Sequence, residues 1–265
     1  MKSSLFVVII TIVVSLAAQE TTPPASSQKH SITEKDLFNF VWVANPQISL
    51  DGAHVAFTRV TVDEKRTGYE SSIWTAAANG GEAPVRMTNG KHDVQPRWST
   101  DGKYLVFVRG GDKDETGKPK PGQLAMLSLG GGEAWTITDL PKGAANPVWS
   151  PDGKRIAFLS STTQDDIEKA QRKKNAAKAG DAKTGDAKAS DSEHESDVHV
   201  ISRAVYRSND EGYLDAKRHE HIWLLQVPTA SDELPNPVQL TNGNFDEGQP
   251  VWSRDGSRIY FLTEP

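Results

Sequence analysis

From about residue 44 onward, short apolar runs alternate with turn residues at a fixed beat. Ile156 and Phe158 stand two residues apart in a short apolar run, the period-2 spacing of one strand face. The run ends at turn chemistry and resumes about ten residues later, so short strands are predicted and long helices are not. The same grammar recurs four times. Asn45-Pro46-Gln47-Ile48-Ser49-Leu50-Asp51-Gly52 runs on to Phe57. Gln95-Pro96-Arg97-Trp98-Ser99-Thr100-Asp101-Gly102 runs on to Phe107. Asn146-Pro147-Val148-Trp149-Ser150-Pro151-Asp152-Gly153 runs on to Phe158, and Gln249-Pro250-Val251-Trp252-Ser253-Arg254-Asp255-Gly256 to Phe261. The Asp-Gly pairs are 50, 51 and 103 residues apart, the last being one period plus an insert of about fifty residues.

Each period has a second half, carried by Ile73-Trp74, Leu124-Ala125-Met126-Leu127 and Ile222-Trp223-Leu224-Leu225, and closing on Thr88, Thr138 or Thr241. Ser-Pro-Asp-Gly supplies a type I turn: Pro presets φ, Asp bonds back to the backbone and Gly accepts a left-handed conformation. Four short strands in about fifty residues make one propeller blade. The predicted fold is all-β: a partial β-propeller of four-stranded antiparallel blades, about three and a half of them, with a disordered charged insert. Blades are assigned to residues 45–265 and the insert to about 160–197. Trp98, Trp149 and Trp252 are expected to fill the space between blades, with Ile48 standing in for Trp in the first copy. Asp51, Asp101, Asp152 and Asp255 are read as turn residues rather than acids for catalysis.

Two segments break the beat. Ser160 to Ser196 is rich in Ala, Lys, Asp and Gly and poor in large apolar residues, too little to order itself, although 165–178 has transient helical character. It reads as a tolerated loop insertion or a flap over a binding face. Ahead of the repeats, residues 18–44 form a flexible lead-in with a short helix, Thr33 as N-cap and Asp36 at the capping-box position. Residues 1–17 read as a signal peptide: Lys2, an apolar run Leu5–Val14, then Ser15-Leu16-Ala17 before the cleavage point. The run is short for a membrane span, which favours cleavage over an uncleaved anchor and implies export, periplasmic or secreted, from a bacterium. With cleavage no stable membrane insertion remains.

Charge and chemistry then narrow the function. With 30 Lys+Arg against 35 Asp+Glu the net charge is −5, which argues against bulk nucleic-acid binding. The absence of Cys removes disulfides, thiolate metal sites, cysteine catalysis and lipoprotein anchoring. No Gly-x-Ser-x-Gly elbow, phosphate loop or His-Glu-x-x-His helix occurs, and Gly130-Gly131-Gly132 sits in a strand connection. His219 and His221 alternate before Ile222, but further metal ligands are not evident. Arg207 and Glu211 read equally as anchors for a charged substrate end or as a surface ion pair. No catalytic, cofactor-binding or metal residue is therefore assigned, and no cofactor is expected.

The run of Pro-x-Trp-Ser-x-Asp-Gly, Ile-x-Phe, Ile-Trp and Leu-Thr resembles the propeller repeats of the prolyl oligopeptidase family of serine peptidases, and those of the periplasmic propeller protein of the Tol-Pal envelope system. The lead-in Thr33-Glu34-Lys35-Asp36-Leu37 and the segment Arg203–Asp215, with Tyr206-Arg207 and Glu211-Gly212-Tyr213, resemble the acylaminoacyl-peptidase and dipeptidyl-peptidase-like branch. The resemblance implies a two-domain hydrolase whose N-terminal propeller gates short peptides toward a C-terminal α/β-hydrolase domain with a Ser, Asp, His triad. That domain is not in this chain, so the peptide substrate would be met through the missing half. An incomplete propeller also allows an oligomer. The alternative is a non-catalytic periplasmic binding module; a metal-dependent propeller enzyme is the third reading.

Overall fold

A computed structural model describes residues 31–113, 117–180, 207–208, 212–213 and 218–264. The signal segment 1–17, residues 181–197 of the insert and Glu211 lie outside the described residues. The chain divides into two units, Met1–Leu37 and Phe38–Pro265. In the first, Thr33 N–H and Oγ1 donate to the Asp36 carboxylate at 2.8 and 2.9 Å, the reach-back half of a capping box. A one-turn 3-10 helix, Asp36–Asn39, starts there.

The second unit is a series of antiparallel sheets. Blade 1 comprises β1 (Val41–Ile48), β2 (His54–Val62), β3 (Tyr69–Ala77) and β4 (Val85–Arg86), in that spatial order. Blade 2 comprises β5 (Asp93–Trp98), β6 (Tyr104–Arg109), β7 (Gln123–Ser128) and β8 (Trp135–Thr136). Blade 3 begins with β9 (Ala145–Trp149) and β10 (Arg155–Ser160). It then detours through α1 (Gln164–Gly180) and the two-residue strands β11 (Arg207–Ser208) and β12 (Gly212–Tyr213), and resumes as β13 (His221–Gln226) and β14 (Val238–Gln239). Blade 4 contributes β15 (Asp246–Trp252) and β16 (Ile259–Glu264). The blades thus begin at Val41, four residues before the boundary read from the repeat, because β1 pairs with β2 from Val41↔Thr61 onward.

Each β1–β2-type turn is built the same way. In blade 3, Ser150 Oγ donates to Asp152 Oδ1 at 2.5 Å, and Oδ1 also accepts Lys154 N–H. Ser150 Oγ accepts Arg155 N–H, and Gly153 takes φ 68°. Ser49/Asp51, Ser99/Asp101 and Ser253/Asp255 repeat the arrangement. These bonds, the Ser hydroxyl first and the backbone N–H after it, hold each turn carboxyl below the usual carboxylate range, Asp255 to about 2.

The first strands meet in sequence, β1 with β5, β5 with β9 and β9 with β15, while β4, β8 and β14 contact their own blades. The first strands therefore lie nearest the axis. The period-2 alternation sends successive residues of a blade into opposite seams. Leu105, Phe107, Ala125 and Leu127 pack with Ala56 and Ile73 of blade 1. Their neighbours Val106, Val108, Leu124 and Met126 pack with Trp149, Ile156 and Phe158 of blade 3. Ala157, Leu159 and Ile222 meet Trp252 and Ile259 of blade 4. The tryptophans cross these seams: the indole N–H of Trp98 donates to Gln47 O at 2.9 Å, Trp149 to Arg97 O and Trp252 to Val148 O, both at 3.2 Å.

The insert departs from the expectation of disorder over its first part. Thr163 caps α1 reciprocally with Asp166, and Ile167 packs against the seam between blades 2 and 3. Arg218 closes the detour, donating to Asp166 Oδ2 at 2.6 Å and to Ser161 O at 2.9 Å. Packing of Ile167, a cap and a long-range ion pair together supply the order that composition alone denies.

Candidate functional site

The axial strands carry a repeated irregularity. Asn45, Gln95, Asn146 and Gln249, each directly before Pro, adopt φ of 49°, 56°, 51° and 51°. A left-handed backbone is costly for a non-glycine residue, and Asn tolerates it best. The ladder slips at this point in all four blades, between Ala44/Gln47, Val94/Arg97, Ala145/Val148 and Gly248/Val251. Such bulges re-aim a side chain. At the seam between blades 2 and 3 the result is a reciprocal clasp: Gln95 Nε2 donates to Asn146 Oδ1 at 2.9 Å, and Asn146 N–H donates to Gln95 Oε1 at 2.8 Å. The carboxamide-Pro pair was visible four times in the sequence, but its role depends on a bulge no local pattern announces.

Two buried polar clusters flank the axial strands. Asp93, fully buried at the start of β5, is held by Arg109, whose Nε lies 3.0 Å from Oδ1 and whose Nη2 lies 3.3 Å from Oδ2. At the equivalent position of blade 4 sits Glu247, also buried. Its Oε2 is 3.1 Å from Nδ1 of His221 and accepts the Thr241 hydroxyl. Thr241 Oγ1 accepts Ile222 N–H, and Glu247 N–H donates to Glu220 O, so the cluster ties blade 3 to blade 4.

These arrangements hold blades together and offer no nucleophile. The Thr241 hydroxyl faces a carboxylate rather than an imidazole, so the relay of nucleophile, base and orienting acid is not formed. His219 precedes β13 instead of lying in it, with Nδ1 3.5 Å from Asp246 Oδ1, so the two histidines do not share a strand face as the sequence suggested. Among the described residues no group of three or more His, Cys, Asp or Glu is placed to hold a metal ion. Asp51, Asp101, Asp152 and Asp255 each commit Oδ1 to their own turn. Arg207 lies in β11, away from any described partner strand but β12, and Gly130–Gly132 forms the β7–β8 turn. Among the described residues no helix is long and apolar enough to cross a membrane.

No family model matches the chain. Uncharacterized peptidase YuxL of Bacillus subtilis (strain 168) is 31% identical over 245 residues, which is 89% of this chain and 32% of that protein. A solved acylaminoacyl peptidase in complex with Z-Gly-Gly-Phe-chloromethyl ketone superposes with a TM-score of 0.51 at 15% identity, covering 86% of this chain and 29% of that one. The chain is similar to the N-terminal propeller of the prolyl oligopeptidase family. A putative TolB from Agrobacterium tumefaciens follows at a TM-score of 0.48 and 19% identity, covering 83% of this chain and 53% of that one. The sequence relationship is to a peptidase, and the fold is a mostly-β propeller arc. The chain spans about a third of the length of the curated peptidase it matches.

Proposed function

We propose that this chain is the propeller portion of an exported serine-type peptidase acting on short peptides, and that it gates access to a C-terminal α/β-hydrolase domain. The observation that carries the reading is the 31% identity to a peptidase, sustained over nearly the whole chain, on a peptidase-like propeller fold. The end blades support it. Tyr260 and Leu262 of β16 occupy the positions of Val106 and Val108, which are buried against blade 3, yet they are 58% and 59% exposed. Ile48 stands where Trp98 and Trp149 cross a seam, and is 64% exposed. Apolar faces of this kind fit further blades of the same architecture.

In that protein a Ser would attack the scissile carbonyl, a His would carry the proton and an Asp would orient the His. The propeller would admit unfolded, short substrates along its axis and exclude folded ones. Sequencing the reading frame past Pro265 tests the proposal. Further Asp-Gly blades followed by a Gly-x-Ser-x-Gly elbow are expected. A stop codon with no hydrolase downstream would overturn it and leave the non-catalytic envelope module standing.

A further inference from the structure

The three seams are not equally filled. Blade 2 presents Tyr104, Met126 and Trp135 toward blade 3, with the Tyr104 and Trp135 rings edge-to-face at 6.3 Å, and the seam is packed. The register assigns their counterparts in blade 1: Ala56↔Thr75 matches Val106↔Met126, and Thr75↔Val85 matches Met126↔Trp135. His54 stands where Tyr104 does, three residues after the Asp of the turn. Blade 1 therefore offers His54, Thr75 and Val85 where blade 2 offers Tyr, Met and Trp. The missing volume shows as a groove of about 640 Å³ between blades 1 and 2, within the size range of small-molecule sites.

Its walls belong to two blades already in contact, so further blades at either end of the arc leave it open. The floor is apolar, made by Met87, Trp98 and Leu129. The rim carries Asp51 and Asp101 from the two turns, with His54 beside them. Each turn spends Oδ1 on its own Ser hydroxyl and backbone N–H, leaving Oδ2 of Asp51 without a hydrogen bond among the described residues and Oδ2 of Asp101 in an exposed ion pair with Lys103 Nζ at 3.8 Å. Both carboxyls sit below the usual range and stay anionic.

We infer that this groove binds an apolar organic cation, a primary ammonium joined to an aromatic or branched hydrocarbon body. The body fills the space that Tyr104 and Met126 fill one seam further on, and the ammonium meets the two turn carboxylates. The inference concerns this chain alone and does not depend on the peptidase reading.

The test is a protein-observed NMR titration at pH 8, following the indole N–H of Trp98, assigned by its loss in Trp98→Phe. Phenethylammonium is the probe and 3-phenylpropionate the anionic control of matching shape. Saturable shifts with a Kd on the order of a millimolar are expected for the cation, as for a ligand of this size, and at least fivefold weaker binding for the anion. In Asp51→Asn/Asp101→Asn, which keeps the Oδ1 acceptors, the two probes should bind within about twofold of each other. In His54→Tyr/Thr75→Met, which imports the blade 2 side chains, binding should be lost. Equal affinity for both probes in the native chain, binding that survives the filling substitutions, or no shift at all would each overturn the inference. If the filling variant fails to fold, the native and Asn-substituted titrations decide by the charge preference.

Discussion

Asp93 is a carboxylate with no access to solvent, and among the described residues Arg109 supplies its only side-chain cation. The enclosure is close: a Cβ placed on Gly90 would come within 2.3 Å of the carboxylate. Replacing Arg109 with Met keeps much of the side-chain volume and leaves the anion with neither partner nor water. Breaking a buried pair in this way costs about 3–5 kcal/mol, and because Arg109 is 30% exposed the lower end applies, about 3 kcal/mol. That is a large share of a total stability of about 5–15 kcal/mol. The next blade shows the repair, with Ala144 in place of Asp93 and Ser160 in place of Arg109. The double variant Asp93→Ala/Arg109→Ser should therefore be more stable than Arg109→Met alone, by about 1 kcal/mol or more. Urea unfolding followed by tryptophan fluorescence reads all the variants on one scale. If Arg109→Met cost less than about 1 kcal/mol, or the double variant were the worse of the two, the reasoning about an enclosed and paired charge would be wrong.

Three further outcomes follow from particular atoms. Thr58 is buried in the seam between blades 1 and 2, its Oγ1 has no hydrogen-bond partner among the described residues and its counterpart in blade 2 is Val108, so Thr58→Val should stabilise by about 1 kcal/mol in the same urea assay; a loss of stability would contradict it. Gly143 has φ 81° and a Cβ there would lie 2.5 Å from Gly122 O, so Gly143→Ala should cost about 2 kcal/mol or more, and an unchanged midpoint would refute the close approach. Burial opposes ionisation of Asp166, but the Arg218 guanidinium and the N–H and hydroxyl of Thr163 outweigh it and hold its carboxyl at about 2, below the ordinary 3.8. A depressed value stabilises above the ordinary pKa and is lost on acidification. Hydrogen exchange in α1, corrected for intrinsic rates, should show protection falling between pH 4 and pH 2, and already weakened at pH 7 in Asp166→Asn; protection independent of both would break the link.

What sequence reading captured and what it missed divide along sequence separation. The Ser-x-Asp-Gly turn is closed by bonds between residues two to five apart, so its chemistry is local and legible. The tryptophans announced the seams because a large aromatic repeated once per blade has few other places to go. The first residues of β1 carry no legible signal because the strand is mostly exposed, so burial leaves no alternation to read. Composition allowed only transient helix over 165–178, although Thr163 and Asp166 already stood at capping-box spacing; the anchor of α1, Arg218, is 52 residues from Asp166. The Asp93–Arg109 and His221–Glu247 pairs are 16 and 26 residues apart and join different strands, so only the folded sheets bring them together. The groove between blades 1 and 2 was hidden for the same reason: Thr75 and His54 signify missing volume only when superposed on Met126 and Tyr104.

The central claim, that this arc is the propeller portion of a larger serine-type peptidase, is tested most directly by the native protein itself. An antibody raised against this chain should detect, in cells that produce it, an exported species about three times its 28.9 kDa mass, and a fluorophosphonate probe should label that same species. A native product of about the mass of this chain that the probe leaves unlabelled would contradict the account.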